Sequence, residues 1–167
     1  MAKIFPGRYT AEVNRDFVVF IIGMRVNRWW MFHLWLPVAF AMPRMLIRLQ
    51  QNRSLGMLGG ESFFRFFPIT TTLISYWESF EHLERFATDK SLPHAGPWAK
   101  FMKSVGSSGN VGIYHETYKV KSSEFECIYG NMPKFGLASA FAHIPLKKSH
   151  NTAKSRINQN NDQNLTD

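Results

Sequence analysis

Two histidines, His94 and His115, combine residue type and spacing in the way most suggestive of chemistry. His94 closes the stretch Ile74–His94, which reads as the end of a buried strand, then an amphipathic helix, then a loop. A loop in that position presents one imidazole to a cofactor pocket. Pro93 stiffens the approach and Gly96 leaves room beside a flat ligand. The alternative is a histidine on a surface loop. His115 follows 21 residues later in the alternating run Val111–Val120. Ile113, His115 and Thr117 share one face of that strand, and Tyr114, Glu116 and Tyr118 the other. An imidazole with an unperturbed pKa of about 6.5 suits general acid–base work; the alternative is a hydrogen-bonded sheet histidine. Arg25, a cation at the end of an apolar strand, and Trp77, where strand gives way to helix, complete the candidates.

Other chemistries find little support. No HxH, HExxH or carboxylate triad is present, so a protein-ligated zinc or non-haem iron site is not expected. The glycines at 56, 59 and 60 form no P-loop or GxGxxG pattern and read as a turn. The single cysteine, Cys127, excludes an intrachain disulfide and reads as a buried, inert thiol; a reducing cytoplasm is the expected compartment. His33 lies among aromatics and reads as a packed residue or a ligand, while His82 is expected to face solvent.

The elements that must position these residues follow from periodicity. Phe17–Arg25, FVVFIIGMR, is apolar and β-branched and predicts a strand buried on both faces. Asn27–Trp35 reads as an aromatic loop. Pro37 suits the first turn of a helix carrying Val38, Met42, Met45, Leu46 and Leu49, with Pro43 predicting a kink. Ser62–Phe67 and Ile69–Trp77 read as strands punctuated by Pro68. Ser79 is placed to cap a helix whose inward face is Phe80, Leu83, Phe86 and Ala87. Val111–Val120 and Phe125–Tyr129 close the series as strands, and residues 131–136 read as a flap.

The order β-α-β-β-α-β-β, with its split βαβ arrangement, predicts an α+β, ferredoxin-like domain over residues 1–146. A disordered polar tail is expected over residues 147–167. Because the strands are apolar on both faces, the sheet side without helices needs a cover. A second copy of the chain is the natural one, which makes a homodimer with an apolar pocket on each side.

Composition bounds the partners. The chain has 167 residues, one domain's worth, with a net charge of +8 and 15% aromatic residues. The charge is uneven: residues 1–60 hold eight basic and two acidic residues, whereas residues 61–145 hold eight of each. Such asymmetry steers acidic small molecules or anionic lipid towards the first third, or is ordinary solubilising charge. No nucleic-acid motif accompanies it. Trp29, Trp30, Phe32 and Trp35 beside Arg25 and Arg28 read as a dimer interface, a pocket wall, or a patch making peripheral membrane contact. The start of the chain lacks an apolar secretory core. Phe17–Met42 is interrupted by Arg25, Asn27, Arg28 and Pro37, so no transmembrane span is expected.

The pieces PGRYTAEV, FIIGMRVNRWW, LPVAFAMPRML, LISYWESFEHLERFA, VGIYHETYKV and IYGNMPKFGLA resemble a bacterial and fungal family classed with the antibiotic-biosynthesis monooxygenases, one fungal member of which belongs to the fumagillin pathway. That resemblance implies a dimeric α+β barrel and monooxygenase-type oxidoreductase chemistry on a hydrophobic organic small molecule. More remotely, Trp77 through Glu84–Arg85 to His94 is similar to the segment carrying the proximal haem histidine of haem aldoxime dehydratases. This second resemblance implies His94 as iron ligand of a non-covalent haem b, Trp77 beside it, and His115 as distal proton-transfer group. The distal arginine and serine of those dehydratases have no motif match here, and Arg25 stands in by position only. The readings that remain open are a monooxygenase, haem-assisted or cofactor-free; a haem lyase acting on aldoximes; and a non-catalytic haem- or lipid-binding dimer.

Overall fold

A computed structural model describes residues 2–37, 53–89 and 108–157. The strands are β1 (Phe5–Glu12), β2 (Phe17–Val26), β3 (Met57–Arg65), β4 (Thr70–Trp77), β5 (Val111–Val120), β6 (Tyr129–Met132) and β7 (Ala142–Pro145). The helical pieces are α1 (residues 32–37), α2 (Phe80–Thr88) and α3 (Leu137–Ala140). No helix among the described residues is long and apolar enough to cross a membrane.

Four strands form an antiparallel sheet in the order β3-β4-β2-β5. The chain leaves β2, skips a strand position and returns as β3, with β4 filling the gap. This is the split βαβ arrangement of an α+β, ferredoxin-like fold. The centre belongs to β2 because it is the most β-branched and apolar strand, and a central strand is buried on both faces. Its even-numbered residues meet α2: Val18, Met57, Trp77 and Leu83 form one cluster, flanked by Phe20, Phe80 and Phe86. Ser79 caps α2 as expected, its hydroxyl accepting from the His82 amide at 3.4 Å. Ala87 is exposed rather than inward.

A second antiparallel sheet, β6-β1-β7, was not expected. With α3 it packs on the other face of the main sheet through Ala11, Val13, Phe17, Leu137 and Ala138. It covers only one end of that face. Gly59 and Gly60 therefore form no turn; both lie inside β3, Gly59 beneath α3. A Cβ at Gly59 would stand 3.1 Å from Ser139 Oγ and 3.2 Å from Ala140 Cα, so glycine permits this close approach of strand and helix. Of these three glycines, Gly56 alone adopts turn geometry, at φ +85°. The expected flap starts as a paired strand: Asn131 and Met132 end β6, which runs against β1, and Asn131 Oδ1 accepts the Gly7 amide at 2.9 Å.

Further boundaries move. Where Ser62–Phe67 was expected as a strand, β3 runs Met57–Arg65, and of the expected strand Phe125–Tyr129 only Tyr129 is paired, at the start of β6. Helix α1 begins at residue 32, ahead of Pro37, and the expected continuation through Leu49 lies outside the described residues. The segment from Lys147, expected to be disordered, is folded through residue 157. Arg156, 9% exposed, donates to Glu126 Oε2 at 2.6 Å and to the His150 carbonyl at 3.2 Å. The cation finds a carboxylate ahead of β6, and hydrogen bonds between Thr152 and Ser155 brace the same segment.

Candidate functional site

His115 sits on β5, opposite Ile22 of β2. Side chains alternate across a strand, so the register assigns it to the α2 face of the sheet. Its row on that face comprises Ile113, His115, Thr117 and Lys119, beside Val18, Phe20, Ile22 and Met24. The imidazole is exposed, its centroid 6.0 Å from the Phe20 ring at 39°. No protein hydrogen bond to it occurs among the described residues. An exposed imidazole without a fixed partner among the described residues, beside an aromatic ring, is able to exchange a proton with a bound molecule.

Trp77 lies on this same face but is packed rather than open. It is 1% exposed, stacks obliquely on Phe86 at 5.4 Å, and donates its indole N–H to Ser75 Oγ at 2.9 Å. Ser75, fully buried, in turn donates to the Phe20 carbonyl at 3.0 Å. Trp77 is thus a core residue, because both its surface and its single donor are already satisfied by protein. It supports the floor on which Phe20 and His115 sit.

Arg25 is three residues from Ile22, and the alternation carries it to the opposite face from His115. The two proposed catalytic groups are therefore not brought together. Arg25 instead borders an open groove of about 590 Å³ at the end of the sheet, lined by Val26, Asn27, Trp29, Phe66, Phe67, Pro68 and Ile69. The turn forming one wall is well held. The Asn27 and Arg28 amides both donate to the Asn110 carbonyl, and Trp35 Nε1 donates to the Trp29 carbonyl at 3.1 Å. His33 on α1 is exposed beside Phe32.

Two groups escaped the sequence reading. Tyr76 and Tyr129 approach each other around Gly136 between the two sheets, where Tyr129 Oη accepts the Ala138 amide at 3.2 Å and Glu61 Oε1 accepts the Gly136 amide at 3.3 Å. Burial raises both phenols, with Glu61 and Cys127 adding to Tyr76, and Cys127 adding to Tyr129. They stay protonated and serve as hydrogen-bonding posts, not bases. Cys127 is half-buried there and accepts the Ala11 amide at 3.3 Å, as befits a structural thiol. His143 is enclosed by Phe5, Tyr9 and Tyr129 at centroid distances of 4.8, 4.5 and 5.8 Å, with neither ring nitrogen hydrogen-bonded. Burial first, then Lys134, lowers its pKa, so it is held neutral. The aromatics of β1, β6 and β7 were the available signal, legible only once those strands were known to be neighbours. His82 is not wholly solvent-facing: its ring fills the space above Gly56, and Nδ1 lies 3.1 Å from Ser79 Oγ.

Of the residues expected around a haem, all but one are placed. Trp77 is enclosed by core, Arg25 lies across the sheet from His115, and His94 falls outside the described residues. No group of three His, Cys, Asp or Glu among the described residues forms a metal-binding cluster.

Comparison with known proteins places this geometry. The family model described as monooxygenase af470-like matches residues 17–137, most of the chain. A search of curated proteins finds no match. Among solved structures, an aldoxime dehydratase is similar over 97% of this chain at 14% identity and a TM-score of 0.57; the chain spans 46% of that protein's length. SnoaB, a cofactor-independent oxygenase from Streptomyces nogalater, is similar over 64% of this chain and 94% of its own, at 14% identity and a TM-score of 0.39. A dimeric ferredoxin-like protein from an uncultured marine organism is similar over 64% of this chain and 95% of its own, at 12% identity and a TM-score of 0.42.

Proposed function

The chain belongs to the monooxygenase af470-like family, and from that premise we propose that it is a small oxidoreductase that oxygenates a hydrophobic organic molecule, with His115 as the proton-transfer group. The observation that carries this reading is the exposed imidazole of His115 on the helix-side face, without a hydrogen-bond partner among the described residues and set beside Phe20 and Ile22. In the cofactor-free form, His115 removes a proton from an acidified methylene of the substrate. The carbanion gives electrons to dioxygen, one oxygen atom becomes the carbonyl of the product, and the other leaves as water. Substrate methylene plus dioxygen thus balances against ketone plus water with no external reductant. Phe20, Ile22 and Ile113 would exclude water from the carbanion, and buried Ser75 and Trp77 keep Phe20 in place.

A homodimer fits this reading. On the face opposite His115, Ile21, Ile74, Thr72, Tyr114 and Tyr118 extend beyond the cover of the small sheet, with Tyr114 and Tyr118 39% and 50% exposed. Apposed faces from two copies would bury them.

The test is oxygen consumption by purified protein against aromatic ketones bearing an acidified methylene. Uptake that disappears in His115→Ala while sedimentation reports a dimer supports the proposal; uptake unchanged by that substitution refutes the role of His115. The fold-wide likeness to an aldoxime dehydratase favours a second reading, a haem lyase with His94 holding iron. A Soret band lost in His94→Ala, with nitrile formed from an added aldoxime and no oxygen uptake, selects it.

A further inference from the structure

The end of the sheet where β2 runs into α1 and where β3 turns into β4 exposes far more aromatic surface than a solvated edge needs. Phe66 and Phe67, at the hairpin tip, are 83% and 84% exposed; Trp29, Trp30 and Phe32, on the neighbouring turn, are 64%, 56% and 62% exposed. Both tips border the groove beside Arg25, so they form one continuous edge. Both are braced from behind: Val26 donates to the Ile69 carbonyl, and Arg65 donates to the Pro68 carbonyl and to Thr70 Oγ1. Trp29 and Trp30 pack edge to face at 6.0 Å, and neither indole N–H has a protein partner among the described residues. A rigid tip carrying apolar rings with unspent indole donors matches the bilayer interface, where the ring is sheltered and the N–H meets headgroups.

Charge narrows the occupant. From Phe17 to Trp77 the sequence carries six arginines and one acidic residue, Glu61. Glu61 accepts the Gly136 amide four residues before Arg65, away from the tip. Arg25 and Arg28 are exposed beside the tryptophans, and no ion pair engages Arg25, Arg28 or Arg65 among the described residues. A second copy of the chain would set these cations against their own kind, whereas anionic headgroups neutralise them. We propose that this edge docks on an anionic lipid bilayer, inserting Trp29, Trp30, Phe66 and Phe67 with Arg25 and Arg28 at the headgroups. The groove between the two tips then opens towards the lipid.

This docking stands independently of the His115 chemistry and is tested without turnover. The full chain is co-sedimented with phosphatidylcholine vesicles containing or lacking phosphatidylserine. Binding is expected with phosphatidylserine, weakening in high salt. It should fall about tenfold or more in Phe66→Ser/Phe67→Ser and in Trp29→Ala/Trp30→Ala. Arg25→Gln/Arg28→Gln should lose about fivefold per charge, and only on the anionic vesicles. Circular-dichroism melts matching the parent's confirm that the variants remain folded, and blue-shifted tryptophan emission on binding, absent from the Trp29/Trp30 variant, reports insertion directly. Vesicle binding unaffected by these substitutions overturns the proposal. So does the absence of vesicle binding together with a dimer that dissociates in Phe66→Ser/Phe67→Ser, which would make the edge a contact between copies.

Discussion

Ser75→Ala removes one oxygen atom, yet it should destabilise the protein through a group on a different residue. Ser75 Oγ accepts from the Trp77 indole at 2.9 Å and donates to the Phe20 carbonyl at 3.0 Å, and both Ser75 and Trp77 are sealed from water. Alanine leaves the indole N–H buried without an acceptor, a desolvation cost of about 1–3 kcal/mol. Taking ~2 kcal/mol and a urea m-value of about 2 kcal/mol/M, the far-ultraviolet circular-dichroism midpoint should fall by ~1 M. Trp77→Phe removes the donor and some ring volume, costing about 1–3 kcal/mol by lost packing, while Ser75 keeps its bond to Phe20. In the double variant no donor is orphaned, so its loss should be smaller than the sum of the singles by ~1–2 kcal/mol. Strict additivity within ~0.5 kcal/mol would refute the buried hydrogen-bond argument. With it would go the assignment of Trp77 to the core rather than to a ligand wall.

His115→Ala should lower turnover about 10²-fold or more, the usual worth of a general base, while leaving the melting midpoint unchanged because the ring is exposed; oxygen uptake and a thermal scan read the two. Gly23→Ala places a Cβ against the Tyr114 ring and 2.7 Å from the Thr71 carbonyl. It should cost about 1–3 kcal/mol in urea unfolding, only partly relieved by Tyr114→Ala because the backbone contact remains. His143 has a folded pKa below its unfolded value, so the unfolded chain binds the extra proton. Stability is full above the ordinary histidine range and drains away as pH falls through about 6.5. His143→Phe should flatten that acid limb in pH-dependent melts. Arg156→Ala breaks an ion pair whose side chains are 10% and 31% exposed; discounted for solvent, the loss should be about 1–2 kcal/mol, with faster proteolysis after Lys147.

Sequence periodicity determined three strands of the main sheet, β2, β4 and β5, and placed the fourth, β3, too late in the chain. FVVFIIGMR reads as a strand buried on two sides, VGIYHETYKV as a β-branched and aromatic strand beside it, and Ser79 ahead of an amphipathic run caps a helix; their order then suggests the split βαβ topology. The helix-side placement of His115 required the register as well, because alternation names two faces without saying which one the helices cover. Tertiary structure alone separated Arg25 from His115, enclosed Trp77, and gathered His143, Tyr76 and Tyr129 from distant segments. Pairing β1 with β6 and β7 joins residues more than a hundred positions apart, and no local pattern encodes such a contact. The same holds for Gly59, whose missing side chain looks like a turn until α3 is seen lying across it. Local chemistry sets which elements form; which side chains then share a face or a cavity is fixed by packing between elements that the chain brings together only once it is folded.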